Sequence, residues 1–446
     1  MSGFARRSAA ALADPVRHEN VRRFSERAHD HRTESVGRVD FEVLRDAGER
    51  IRTRSVAEMP ALIDEFQTNL ERAGAIVHRA PTGADAAAYI AGVVARHGRE
   101  VVKGKSMAAE EIGLNERLAA DGVDVVETDL GEFIVQTAGE PPEHIIIPAI
   151  HKSRDDVRRL FEPLAGHPIG DEPADLTDFA RAHLRERFLR APVGITGVNF
   201  GVAETGTIVL VENEGNGRMC SGVPKVHIAV MGMERVVPRL ADLGTLLPLL
   251  IRSGTGQKIT SYVSMIGGPR RGDEADGPDE LHVVILDNGR ARVRETEYAS
   301  VLRCIRCGAC QNVCPVYRHI GGTAYGWVYG GPIGAVLSPL LHPQDGLDEL
   351  SQASSLCAAC DDVCPVRIPL HDLLIGLRRD RAQASAGAME KLAFRLWSLA
   401  WSRPWLYRLS TRAAHRLPVN NRGQTPFIHL PVVGRWLRTR DVVVKR

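Results

Sequence analysis

Seven of the eight cysteines in this 446-residue chain lie in two short runs, and no other feature constrains its fold as tightly. The first run reads Cys304-x2-Cys307-x2-Cys310-x3-Cys314-Pro315, the second Cys357-x2-Cys360-x3-Cys364-Pro365. Two residues between cysteines let a tight loop turn three thiolates toward one centre. Three residues and a proline carry the fourth away and delay the next helix. This is the ligand pattern of a two-cluster ferredoxin-type module, in which the last cysteine of each run crosses to the other cluster. The spacing assigns Cys304, Cys307, Cys310 and Cys364 to one [4Fe–4S] cluster, and Cys314, Cys357 and Cys360 to a second. Ser354 stands where a further cysteine would complete the second run. The last iron of cluster two is therefore left to Ser354, Cys220, a water or a substrate, or is absent, giving [3Fe–4S] in place of [4Fe–4S]. Structural zinc is the competing reading of paired CxxC, but four cysteines within eleven residues exceed what such a site needs. Isolated Cys220 reads as a buried, inert thiol.

Grouped cysteines do not suggest a disulfide framework; free thiolates imply a reducing cytoplasm. Apolar residues at 44% and charged residues at 25% are ordinary for a soluble protein of two or three domains. No secretory segment is visible, because the Ala-rich run after Arg6-Arg7 stops at Asp14. The charge-free stretch Gly321–Gln344 raises the question of a membrane span. Its six Gly and three Pro point instead to a tight, buried connection between the runs. Residues 381–446 hold thirteen Lys and Arg against two acids, +11, which leaves −9 on the rest of the chain. Such a basic tail suits an acidic partner or the anionic inner face of a membrane. No DNA-reading motif accompanies the charge, so nucleic acid is not an expected partner.

The first sixty residues read as a helical extension. Over 61–294 helices alternate with strands: Ala61–Ala73, Ala84–Arg96 and Ala108–Ala120 as helices, with strands near 74–77, 100–102, 123–126, 194–200, 207–211, 226–231 and 282–286. That alternation predicts an α/β domain with a largely parallel, Rossmann-like sheet. Residues 295–380 read as a mostly helical iron–sulfur module, with helices at Ala335–Leu341 and His371–Arg379. In the basic tail, 381–446, Leu392, Leu396, Trp397 and Trp401 place a helix, Pro404 interrupts it, and Pro418 and Pro426 bound a looser end.

Several segments of the α/β region follow in a specific order: Lys103-Gly104-Lys105-Ser106-Met107, Glu111-Ile112-Gly113-Leu114-Asn115 and Glu127-Thr128-Asp129-Leu130-Gly131-Glu132. Pro148-Ala149-Ile150-His151, Gly197-Val198-Asn199-Phe200, Ala203-Glu204-Thr205-Gly206-Thr207 and Asn213-Glu214-Gly215-Asn216-Gly217-Arg218 come next. With the cysteine runs behind them, the chain from about residue 20 closely resembles the lactate-utilisation iron–sulfur proteins of the LutB type. Their second run also has three cysteines, so Ser354 is no departure. The resemblance implies an electron-transfer subunit of a multi-protein system that oxidises L-lactate to pyruvate and supports growth on lactate. Its partners would be the other subunits and a respiratory-chain acceptor. The α/β domain would resemble the sugar-phosphate isomerase and CoA-transferase superfamily.

The residues themselves offer an anion site at Lys103 and Lys105, after a strand end, with Thr205, Asn213 and Asn216 on the rim of the sheet. Gly254-Thr255-Gly256-Gln257-Lys258 is a weaker phosphate-like loop. No G-x-G-x-x-G follows a strand, so the sequence carries no nicotinamide or flavin fingerprint. The alternative function is an enzyme acting on a CoA ester or sugar phosphate through a catalytic Glu204, with structural or sensory clusters.

Overall fold

The structure, a computed structural model, describes residues 3–343, 346–385 and 387–415. The chain divides into two compact units, Met1–Arg378 and Arg379–Arg446. Ten strands lie among the described residues of the first unit: β1 (Ile76–Ala80), β2 (Glu100–Lys103), β3 (Asp124–Glu127), β4 (Val193–Gly197), β5 (Phe200–Val202), β6 (Thr207–Glu212), β7 (Val226–Gly232), β8 (Val236–Val237), β9 (Tyr262–Ile266) and β10 (Glu280–Leu286). Six of them form a sheet in the order β1-β10-β7-β4-β2-β3, parallel at every pairing. A parallel sheet is covered on both faces, so its central strands are mostly apolar. All seven residues of β7 are buried. Along β10, Leu281, Val283 and Ile285 join one core with Phe66 and Met231, while Val284 and Leu286 join another with Ile90 and Val94.

The expected α/β region is thus present, with a correction. The predicted strand over 194–200 is two strands in two sheets. At Val198-Asn199 the chain leaves the parallel sheet, and Asn199 Oδ1 accepts the Val211 N–H at 2.9 Å. β5 then pairs antiparallel with β6 in a four-stranded sheet of order β8-β5-β6-β9. The apolar run Ile145-Ile146-Ile147 forms no strand but a loop.

Strand order reverses between β2, whose chain continues outward to β3, and β4, whose chain continues the other way to β7 and β10. The carboxyl ends of β2 and β4 therefore open a crevice of the kind in which α/β proteins bind ligands.

The region that carries the cysteine runs is mostly helical, built around the short helices Ala309–Val313, Pro315–Ile320 and Ala359–Val363. Every residue of Gly331–Leu341, within the charge-free stretch, is buried. No helix among the described residues is long and apolar enough to cross a membrane. The N-terminal helices Pro15–Val36 and Phe41–Ala57 pack on this region through arginines. Arg32 Nη2 donates to Val363 O and Arg45 Nε to Cys364 O, each at 3.0 Å. Arg52, fully buried, donates to the carbonyls of Val236, Glu234, Leu302 and Arg303, tying the α/β region to the first cysteine run.

In the second unit Pro404 separates the helices Ala388–Trp401 and Pro404–His415. Trp401 packs its ring on Trp397 at 4.9 Å and on Tyr407 at 5.3 Å. The looser end bounded by Pro418 and Pro426 lies outside the described residues.

Candidate iron–sulfur site and the adjoining cavity

The two cysteine runs fold into matching loops. Gly308 (φ 79°) and Ala358 (φ 61°) each take the left-handed conformation just before a short helix, Ala309–Val313 and Ala359–Val363. Arg306 (φ 62°) and Leu356 (φ 55°) do the same two residues earlier. The turns aim backbone amides at side chains. Arg306 N–H points to Cys304 Sγ at 3.4 Å, and Leu356 N–H to Ser354 Oγ at 3.1 Å. Ile368 N–H points to Cys364 Sγ at 3.3 Å. Three of the five non-glycine residues with positive φ among the described residues, Arg306, Leu356 and Ala358, belong to these loops, and a fourth, Arg367, follows Cys364; there strain holds a site in shape.

None of the eight cysteines is in a disulfide. The thiol of Cys310 is raised well above its usual range, first by burial and then by Cys304, Cys307, Cys360 and Cys364. Burial, with Cys364 and Cys304 nearby, pushes Cys307 up to about 12. Burial likewise raises Cys314 beside Cys357, and Cys360 beside Cys314. Among the described residues no three His, Cys, Asp or Glu side chains converge on a single-ion point. Soft thiols gathered in two groups, buried or half-buried except for exposed Cys357, with amides directed at sulfur, fit iron–sulfur clusters: a cluster takes thiolates at its separate corners and is tuned by N–H···S bonds. Cys314, Cys357, Cys360, Ser354 and His371 line one small pocket. Cys220 is elsewhere. It is buried behind β2 against Thr128, away from the pocket lined by Cys314, Cys357 and Cys360.

A cavity of about 410 Å³ opens at the crevice between β2 and β4 and reaches the first cysteine run. Lys105, Asn199 and Asn216 line its α/β side; Arg306 and Tyr329 line the other. At its inner end Arg290 makes a two-pronged pair with Glu111 (2.7 and 2.8 Å) and also meets Glu234, which accepts from Arg306 at 3.1 Å. Tyr329 Oη donates to Glu111 at 2.7 Å. Arg235 donates to Cys304 O at 3.0 Å. The loop Ile145–Ile147 walls the cavity, held by His144. Burial drives that imidazole's pKa down to about 3, so it is neutral. Its Nδ1 accepts the N–H groups of Ile146 and Ile147, which leaves Nε2 to donate to Asn312 Oδ1 at 3.1 Å.

The sequence-nominated anion residues divide. Lys105, Asn213 and Asn216 line the cavity. Lys103 does not: it is fully buried and paired with Glu127 (2.6 Å) and Glu110 (3.1 Å). Burial opposes its charge, but those carboxylates outweigh burial and raise its pKa. Thr205 and Glu204 sit at the opposite end of β6 from Asn213 and outside the cavity. Glu204 accepts the Leu240 N–H at 2.9 Å and Thr205 donates to Thr207, so both shape turns. The Gly254–Lys258 loop follows the carbonyl end of the helix Leu243–Gly254, the wrong pole for a phosphate. Sequence reasoning missed Arg235, Arg290 and Arg306, which are unremarkable where they stand in the chain.

Residues 63–286 match the LUD domain, 300–368 a 4Fe-4S dicluster domain, and 378–444 the C-terminal region of lactate utilisation protein B. Lactate utilization protein B of Bacillus licheniformis is 48% identical over 84% of this chain and 80% of its own length. The chain belongs to the lactate utilisation protein B family. The Bacillus pumilus member is 46% identical over 92% of this chain and 88% of its own length. A relative in Escherichia coli, named "uncharacterized electron transport protein YkgF", is 44% identical over 97% of this chain and 92% of its own length. The family's dicluster segment coincides with the loops that gather the seven thiols.

Proposed function

We propose that this chain is the electron-relay subunit of a multi-protein system oxidising L-lactate to pyruvate. In this reading Cys304, Cys307, Cys310 and Cys364 hold a [4Fe–4S] cluster, and Cys314, Cys357 and Cys360 hold a second. One observation carries the reading: the helices Ala309–Val313 and Ala359–Val363, which carry Cys310 and Cys360, pack on each other and bring the two runs together. Two clusters held there would lie side by side, as single-electron transfer requires. Bound clusters would supply one-electron chemistry; the protein would hold them by these sulfurs, directs amides at Cys304 and Cys364, and seals the first run from water. Membership of a family named for lactate utilisation supports lactate as the substrate in this reading. Within this proposal the oxygen of Ser354 is the fourth ligand of cluster two, because it occupies the place of Cys304 and accepts the same loop amide. The basic, aromatic second unit is the docking element for partner subunits at the inner membrane face.

Anaerobic purification tests the relay. The protein should be brown and carry about eight irons per chain, with EPR signals of two interacting centres on reduction. Cys307→Ser should abolish growth on L-lactate. A folded, colourless protein without iron, or normal growth of the variant, would refute it.

A further inference from the structure

Arg306 faces the cavity with a half-used guanidinium. Its side chain is 11% exposed and Nη2 donates to Glu234, but Nη1 is buried without an acceptor. An unsatisfied, charged N–H out of water is costly, and an incoming oxyanion would satisfy it. The charges around it do not cancel. Arg235, Arg290 and Arg306 face Glu111 and Glu234, an excess of one positive charge at the inner end. Arg235 is held by backbone carbonyls and has no carboxylate partner among the described residues. The rim is of opposite character: Asp129, Glu212 and Glu214 line it with Lys105, whose ammonium donates to Ile146 O at 2.5 Å. Those three carboxylates already accept backbone amides, from Glu132, Gly217 and Leu130 respectively. Such a rim repels a polyanion and suits the hydroxyl of a ligand with one charge.

We propose that this cavity binds a short organic acid carrying one negative charge, with its carboxylate on Arg306 and its hydroxyl or carbonyl toward Lys105 and the rim. The site lies at the topological switch point of the parallel sheet, and its volume is that of a small-molecule pocket. The same Arg306 whose side chain meets the ligand directs its backbone N–H to Cys304 Sγ. Ligand binding would therefore cancel a positive charge beside a sulfur of the first cluster and lower that cluster's potential. The choice of an organic acid rests on the relay reading.

The test titrates the full chain, purified without oxygen, by calorimetry with L-lactate, pyruvate and inorganic phosphate in separate arms. At least one of the two acids should bind one-to-one with Kd on the order of 1 mM or tighter. Redox titration by EPR should show the midpoint of one cluster falling when that acid is present. Arg306→Gln should weaken binding about tenfold or more. Because Arg306 also holds Glu234, Lys105→Met serves as a second variant that spares this network, with about threefold weaker binding or more. Thr205→Ala should bind as wild type does. The proposal is overturned if neither acid saturates a site by about 10 mM, if both cavity variants bind as tightly as wild type, or if phosphate binds more tightly than either acid. Failure of the relay reading would show separately, as a spectrum without reducible clusters.

Discussion

Cys307, Gly308 and the helix Ala309–Val313 of the first run are matched residue for residue by Cys357, Ala358 and Ala359–Val363 of the second, yet their surroundings diverge. Between Cys310 and Cys314 lie Gln311 and Asn312, both buried; between Cys360 and Cys364 lie Asp361, half-buried, and Asp362, exposed. Cys307 is buried and its counterpart Cys357 is exposed. Cys304 O is held by buried Arg235, whereas Ser354 O is held by half-buried Arg378 at 2.8 Å. The loop geometry is common because directing amides at ligands needs it. The surroundings differ because one run is sealed against the α/β region and the other meets water.

The largest test of this contrast removes the arginine that seals each side. Arg52→Met strips four buried carbonyls, among them those of Leu302 and Arg303 just before the first run, of a charged donor. Stability should fall by about 3–5 kcal/mol. Arg378→Met frees only two carbonyls, those of buried Ser351 and half-buried Ser354, and should cost about 1–2 kcal/mol. Urea midpoints of the two variants measure the difference; equal losses would break the contrast.

How much of this was legible in the sequence follows the same division. The cysteine spacing announced the paired loops, and the Gly- and Pro-rich stretch announced the buried link. Continuous apolar runs exposed β7 and β10, since a strand covered on both faces has no polar alternation to hide it. The second sheet was not legible: β8 has two residues, and Tyr262, Val263 and Met265 of β9 are exposed, so neither carries a burial pattern. Lys103 and Lys105 looked equivalent until pairing of β2 with β3 set Glu127 opposite Lys103 and consumed its charge. Arg235, Arg290 and Arg306 come from separate elements spread over some seventy residues, and only the fold brings them to one cavity.

A second test addresses the one position where the runs differ in a proposed ligand. If Ser354 oxygen completes cluster two, Ser354→Ala should lose about one iron of eight and show a [3Fe–4S] EPR signal in the oxidised protein. Ser354→Cys should keep the full complement, since it restores the first run's own residue at that place. An unchanged iron count and spectrum in Ser354→Ala would remove serine from the ligand set.

The smallest effect concerns potential. A cluster is easier to reduce beside positive charge and harder beside negative charge. Arg32 and Arg303 act on the thiols of Cys307 and Cys364, whereas Asp361 and Asp362 act on Cys360 and Cys357. Cys360 Sγ lies 3.4 Å from Asp361 Oδ1. The cluster held by Cys304, Cys307, Cys310 and Cys364 should therefore have the higher potential. Converting the second run to the first run's neutral pair, Asp361→Gln with Asp362→Asn, should raise cluster two on the order of tens of millivolts, because solvent screens much of the charge of Asp362. Asp361 also accepts the His371 N–H at 2.9 Å, a bond that the glutamine oxygen can keep, so the loop should hold its shape. An EPR redox titration that found the two midpoints in the opposite order, or unmoved by the double substitution, would show that the field of these side chains does not set the direction of electron flow.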